Sequence, residues 1–194
     1  MQVYLKSLFL VMAFLAIFSF PLAAENKRDI PLDMFLIIDV SESMANPKNE
    51  VFSWVNERLV DQILLDGDRI TVWAAGNRAE IAYSGVISGE ISKNELRESL
   101  ENIEINGSAA DFEGALRDLR TRISGVSQDR LPYSVLISSS AEGLEPVLTG
   151  NIRSMLRWSR SERYERWQVL VFAPDIAPQV QQAAAELMEA LGGR

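Results

Sequence analysis

The chain has 194 residues, 47% hydrophobic and 24% charged, a composition that suits a globular domain with a real core and excludes a disordered one. Its net charge of −8 excludes the basic surface that nucleic acid or an anionic membrane demands. With no Cys and no His, there is no disulfide, thiolate nucleophile, Ser-His-Asp triad or imidazole ligand, so a metal would have to be a hard cation on oxygen donors.

Taken in chain order, Met1 to Ala24 holds Lys6, a predominantly apolar run from Leu8 to Phe20, then Pro21 and the small residues Ala23 and Ala24. That order is the pattern of a secretory signal peptide. The run falls short of the about 20 apolar residues that span a bilayer. Residues 1–24 are therefore read as a signal peptide, 25–32 as a short lead, and 33–194 as one domain facing the periplasm or the exterior. Leu22 stands where a signal peptidase prefers a small residue, so an uncleaved signal anchor is the alternative.

Asp33–Val40 (DMFLIIDV) is a nearly continuous apolar run, as expected of a central strand buried on both faces. Asn46-Pro47 offers a helix N-cap with proline at the first helical position. Val51, Val55, Leu59 and Ile63 follow at i+4 spacing along one helix face, and Gly67 ends the helix. Ile70–Ala74 and Ala79–Val86 read as strands around the turn Gly76-Asn77. Ser92 with Glu95 reads as a capping box for a helix carrying Leu96, Leu100 and Ile103, which Asn106-Gly107 breaks.

Phe112, Ala115, Leu116, Leu119 and Ile123 form the apolar face of the next helix. A strand over Tyr133–Ser138, a helix over Val147–Trp158, a strand over Trp167–Ala173 and a closing helix with Val180, Ala184, Leu187 and Leu191 complete the chain. Trp54 and Trp73 fall within these elements and are assigned to the core. Alternating strands and helices predict an α/β fold: a doubly wound, mostly parallel sheet with helices on both faces. Ligands of such sheets bind at the carboxyl ends of the strands, which directs attention to the loops after Ile38, around Gly107–Asp111 and after Ile137.

The first of these loops reads Asp39-Val40-Ser41-Glu42-Ser43-Met44. A carboxylate and two hydroxyls at alternating positions offer hard oxygen donors suited to Mg²⁺, Mn²⁺ or Ca²⁺. A serine-rich turn that hydrogen-bonds its own backbone has the same pattern. The Asp39–Ser43 loop, Gly67-Asp68-Arg69-Ile70, Gly107–Leu116 and Val135–Ser140 together resemble the von Willebrand factor A family, in the family's order, over nearly all of the chain after Pro31. The resemblance implies a metal-ion-dependent adhesion site in which an acidic side chain of a protein or peptide partner completes the metal sphere. It places Asp39, Ser41 and Ser43 in the first motif, but puts Ala110 where the family has Thr and Ser139 where it has Asp. Ser108, Asp111 and Glu142 are the residues that would make up for these losses.

No phosphate loop follows any strand, and no general base stands beside an evident nucleophile, so an enzyme is not expected. Two binding readings remain. One is an exported interaction module using the Asp39–Ser43 loop, metal-assisted if the site is filled. The other is a metal-free structural subunit of a cell-envelope complex, docking through the arginine-rich segment Arg153–Arg166, where Arg157, Trp158, Arg160 and Tyr164 are the contact residues. A run of this kind also suits the solvated face of a helix.

Overall fold

An apolar strand with every residue shielded has to lie inside a sheet that is covered on both faces. In the computed structural model that strand is β1 (Leu32–Asp39), buried along its whole length. The structure describes residues 28–139 and the strand 168–172. β2 (Arg69–Ala75) pairs parallel with one side of β1, and β4 (Leu131–Ile137) pairs parallel with the other. β5 (Gln168–Phe172) adds in parallel beyond β4, and β3 (Ala79–Val86) folds back antiparallel on β2. The order β3-β2-β1-β4-β5 is the mostly parallel, doubly wound sheet that the sequence predicts.

Side chains alternate across the pleat, so β1 feeds two cores. Leu32, Met34, Leu36 and Ile38 face α1 (Lys48–Trp54, continuing in wider turns through Val55–Ile63) and α2 (Gly89–Glu101). Phe35 and Ile37 face α3 (Phe112–Ile123), together with Trp73. Each fully buried aliphatic side chain contributes about 1.5–3 kcal/mol, and β1 supplies several, so this strand is the spine of the domain. Trp73 is core as expected, whereas Trp54 is only half-buried at its margin.

The helix ends differ from the sequence reading. α1 starts at Lys48 with Pro47 in the cap position, so Asn46 is not the cap, and no side chain caps this end. The helix stops at Ile63, not at Gly67. Its last part bonds i to i−5, with the Leu64 amide donating to the Leu59 carbonyl. Val55, Leu59 and Ile63 are all buried along this wider-turned stretch, so the i+4 series still marks its inner face. Gly67 instead takes a positive φ of 90° in the turn before β2.

α2 begins at Gly89, three residues before Ser92. The Ser92 hydroxyl accepts from the Ser88 amide at 2.7 Å and donates to the Gly89 carbonyl at 2.9 Å. Ser92 therefore reaches back to the helix start from inside the first turn, and is not the cap of a box with Glu95. The signal segment 1–24, residues 25–27, the helices over 147–158 and 180–191 and the arginine-rich segment lie outside the described residues.

Burial raises the Tyr133 phenol well above its ordinary value, and Tyr83 is raised by burial together with the nearby charge of Glu95. A raised folded-state value favours the neutral phenol. The associated stability is complete below the unfolded value of about 10 and is lost as pH rises above it. Spectrophotometric titration should show Tyr133 silent until the domain opens, with alkaline unfolding and tyrosinate formation coinciding. An early Tyr133 titration in the folded domain would contradict this.

Candidate functional site

Two parallel strands that lie side by side but lead to opposite halves of the sheet leave a crevice at their carboxyl ends. Here the strands are β1 and β4, and the crevice holds the end of β1 and the start of the loop after β4. Asp39 closes β1 and is 3% exposed. Its Oδ1 accepts from the Ser41 amide at 2.8 Å and its Oδ2 from the Ser138 hydroxyl at 3.0 Å. The first contact is an Asx turn, which swings the chain over the strand end. Met44, fully buried, pins the 3₁₀ turn Glu42–Met44 from below.

The result is a chain of hydroxyls. Ser41 Oγ lies 2.9 Å from Ser43 Oγ, and Ser43 Oγ lies 2.8 Å from Ser139 Oγ. Ser41 and Ser138 are buried, Ser139 is half-buried, and Ser43 is exposed at the mouth.

The loop before α3 is stitched to the same rim. Gly107 forms a parallel bridge with Ser41, its carbonyl accepting from the Glu42 amide at 2.7 Å. The amides of Asn106 and Gly107 both donate to the Val40 carbonyl. A Cβ at Gly107 would lie 2.9 Å from the Gly76 Cα, so only glycine permits this approach.

Ser108 does not join the hydroxyl chain. Its amide and hydroxyl both donate to Asn77 Oδ1, at 2.9 and 2.8 Å. Asp111 is also committed elsewhere: it caps α3 by accepting from the Gly114 amide at 2.8 Å, and holds the Ala79 amide at 3.1 Å. Ala110 packs against the apolar cluster beneath α3. The structure thus brings Asp39, Ser41, Ser43 and Ser139 together, adds Ser138, and turns Ser108 and Asp111 to other tasks. Sequence reasoning missed Ser138 and Asn77; the signals were a hydroxyl directly after a buried strand and an Asn in a hairpin turn. Glu142, Arg157, Trp158, Arg160 and Tyr164 lie outside the described residues.

The donor set that the described residues supply does not fit a tightly held divalent cation. One carboxylate among them, that of Asp39, faces the crevice, and both of its oxygens already accept hydrogen bonds. Among the described residues no three of Asp, Glu, His or Cys gather at one point. A single negative charge leaves a dication half-neutralised, and oxygen sites lose affinity steeply as carboxylates are removed.

No protein-family model matches the chain. An uncharacterized protein of Treponema pallidum (strain Nichols) is 24% identical over 176 residues, covering 86% of this chain and 78% of that protein. Among solved structures, proximal thread matrix protein 1 of the mussel byssus matches with a TM-score of 0.57 at 14% identity, over 85% of this chain and 47% of that one. The manganese-loaded TRAP protein of Plasmodium vivax matches with a TM-score of 0.57 at 16% identity, over 82% of this chain and 64% of that one. A form of the byssus protein with a zinc-occupied MIDAS motif matches with a TM-score of 0.54 at 17% identity, over 74% of this chain and 38% of that one. The chain spans about half the length of the byssus protein it resembles. Sheet order, rim position and these structural neighbours agree that this chain has the fold of a von Willebrand factor A domain.

Proposed function

We propose that the chain is an exported, non-enzymatic binding module that engages a protein or peptide partner through its hydroxyl-rich rim, without a resident metal. The observation that carries this reading is the hydrogen-bonded array of Asp39, Ser138, Ser41, Ser43 and Ser139, fixed on strand ends and open at Ser43. Donors and acceptors held in place before binding lose little entropy when a partner arrives. The one hydroxyl bonded to the carboxylate, Ser138, is 0% exposed, which favours binding over nucleophilic chemistry.

The zinc and manganese of the structural neighbours are properties of those proteins. Ala110 and Ser139 are the reason for not extending Mg²⁺, Mn²⁺ or Ca²⁺ to this rim. Partner choice then rests on hydrogen bonding and not on an acidic side chain that completes a metal sphere. Export is supported by the N-terminal apolar segment.

The test is cross-linking and co-purification of the tagged full chain from its own cells. Partner recovery is expected to survive EDTA and to fall at least about tenfold in Ser43→Arg, equivalent to about 1.4 kcal/mol. Recovery that Ser43→Arg leaves intact but Arg157→Glu with Arg160→Glu abolishes would move the binding surface to the arginine-rich segment and overturn the rim reading.

A further inference from the structure

A helix shields only the rows of a sheet that its length reaches. On the α3 face, side chains of β1, β2 and β3 fall into cross-strand rows. Asp33, Arg69 and Val86 make the row nearest the amino end of β1, then come Phe35, Thr71 and Ser84, then Ile37, Trp73 and Ile81. The second half of α3 engages the third row. Trp73 Nε1 donates to Asp118 at 3.1 Å, and Arg122 lies over the indole ring, 5.5 Å from its centre. Between the end of the helix and the first two rows is a cavity of about 500 Å³. Phe35 and Thr71 line it from the inner strands, Ser84 and Val86 from the edge strand, and Arg122, Gly125 and Val126 from the helix end.

This cavity carries positive charge in an acidic chain. Arg69, Arg122 and Asp33 are its charged lining residues. Asp33 is neutralised by Arg130, whose Nε donates to it, and Arg122 Nε donates to Asp118 at 3.1 Å. Lining residues and their ion-pair partners together are three arginines and two aspartates, an excess of one positive charge. Asp129, the other carboxylate that feels Arg69, lies on the surface outside the lining. Arg69 is the open group. Its side chain is 58% exposed, its ion-pair partner among the described residues is Asp33 at 3.9 Å, and no hydrogen bond from another described residue holds it there.

We propose that this cavity is a second binding site, whose ligand is a small monocarboxylate with an apolar body, such as a medium-chain fatty acid. Its volume falls within the about 300–1,000 Å³ of small-molecule sites, which are mostly apolar with a few polar groups that orient the ligand. The Arg69 guanidinium matches a carboxylate through two parallel hydrogen bonds. Thr71 and Ser84, whose hydroxyls lie 3.2 Å apart, supply further donors in the neighbouring row. Phe35, Val86 and Val126 shield the apolar body. The last carbonyls of α3 carry partial negative charge, so the head belongs at Arg69 on the sheet and the body at the helix end. One excess positive charge suits a monoanion, whereas a phosphate dianion stays half-compensated and makes no use of the apolar wall. This site goes beyond the rim reading and uses none of its residues.

Octanoate is titrated into the full chain by calorimetry, with octanol, acetate and inorganic phosphate as comparison probes and Arg69→Gln and Ser84→Phe as variants. Both substitutions fall on exposed side chains, and the second fills the cavity from the edge strand. One saturable octanoate site is expected, weakened at least about tenfold by either substitution and by loss of head or body from the probe. Octanoate is also expected to shift the Trp73 indole N–H signal in NMR spectra, because that ring lies under Arg122. Absence of saturable octanoate binding would overturn the proposal, as would binding that leaves both variants and the Trp73 signal unaffected. Octanol binding as tightly as octanoate would remove Arg69 from the site, and phosphate binding as tightly would rule out the apolar-bodied ligand. An acetylated peptide ending in a free leucine that binds at least about tenfold tighter than octanoate would assign the cavity to polypeptide C-termini and overturn the small-molecule assignment. Each of these failures leaves the rim proposal standing, because Ser43 lies at the opposite end of the sheet.

Discussion

Asp68→Ala is expected to destabilise the domain by about 3–5 kcal/mol, the usual cost of stripping one partner from a buried ion pair. For a domain of this size that lowers the melting temperature by on the order of 10 °C. Asp68 is 0% exposed and sits at the amino end of the sheet, opposite the rim. Its carboxylate accepts from the Leu32 amide at 2.7 Å, from the Leu65 amide at 2.8 Å and from the Arg28 guanidinium. Three stretches of chain are therefore fastened to one side chain: the lead, the start of β1 and the turn before β2.

Removing the carboxylate strands the Arg28 charge, whose side chain is 4% exposed and whose Nε and Nη1 find no hydrogen-bond partner among the described residues. Arg28→Met is expected to cost much less, because Asp68 would keep both backbone amides. Urea unfolding of the two variants separates the cases. An Asp68→Ala domain within about 1 kcal/mol of the parent would show that the pair contributes no more than a surface contact.

How much of this was legible beforehand depended on which physical signal each residue gives. Burial on both faces leaves a mark in any sequence, so β1, β4 and the apolar face of α3 were readable to within a residue or two. Helix termini were less so, because several residues compete for the same backbone amides. Ser92 and Glu95 have capping-box spacing, yet the buried Ile87 and the positive φ of Gly89 start the helix a turn earlier.

At the rim, the alternation of Asp39, Ser41 and Ser43 announced their convergence. It did not announce that Asn77 would capture Ser108, or that α3 and the start of β3 would take both oxygens of Asp111. The α3 cap is local, but the Asn77–Ser108 and Ala79–Asp111 contacts join segments 31 and 32 residues apart, which no local pattern encodes. Asp68 appeared in the sequence only as part of a familiar string. Its burial, and so its weight in the fold, is a tertiary fact.

Ala110→Thr combined with Ser139→Asp is expected to create what the parent chain lacks, saturable Mn²⁺ binding in the micromolar range where ligand charge count sets oxygen-site affinity. The parent should show none below about millimolar concentration, a difference of at least about a hundredfold. The carboxylate half of the geometry for this gain is already in place. Ser139 Oγ lies 2.8 Å from Ser43 Oγ, so a carboxylate at that position enters the same crevice as Asp39. Position 110 follows Gly107, which bridges to Ser41, and is where the resemblance to the von Willebrand factor A family puts a Thr, while Ser108 is held by Asn77.

Two carboxylates against one dication remove the charge deficit that argues against a metal in the natural rim. Asp39 provides the control. Asp39→Asn keeps an acceptor for the Ser41 amide and should cost the parent little stability, whereas in the double variant it should abolish Mn²⁺ binding. Asp39→Ala should destabilise both, because it leaves the Ser41 amide and the buried Ser138 hydroxyl without their acceptor. Calorimetric titration with Mn²⁺, in parallel with melting in EDTA, reads both effects. Micromolar Mn²⁺ binding by the parent, lost in Asp39→Asn, would instead mean that hydroxyls and one carboxylate suffice, and the metal-free reading of the rim would fall.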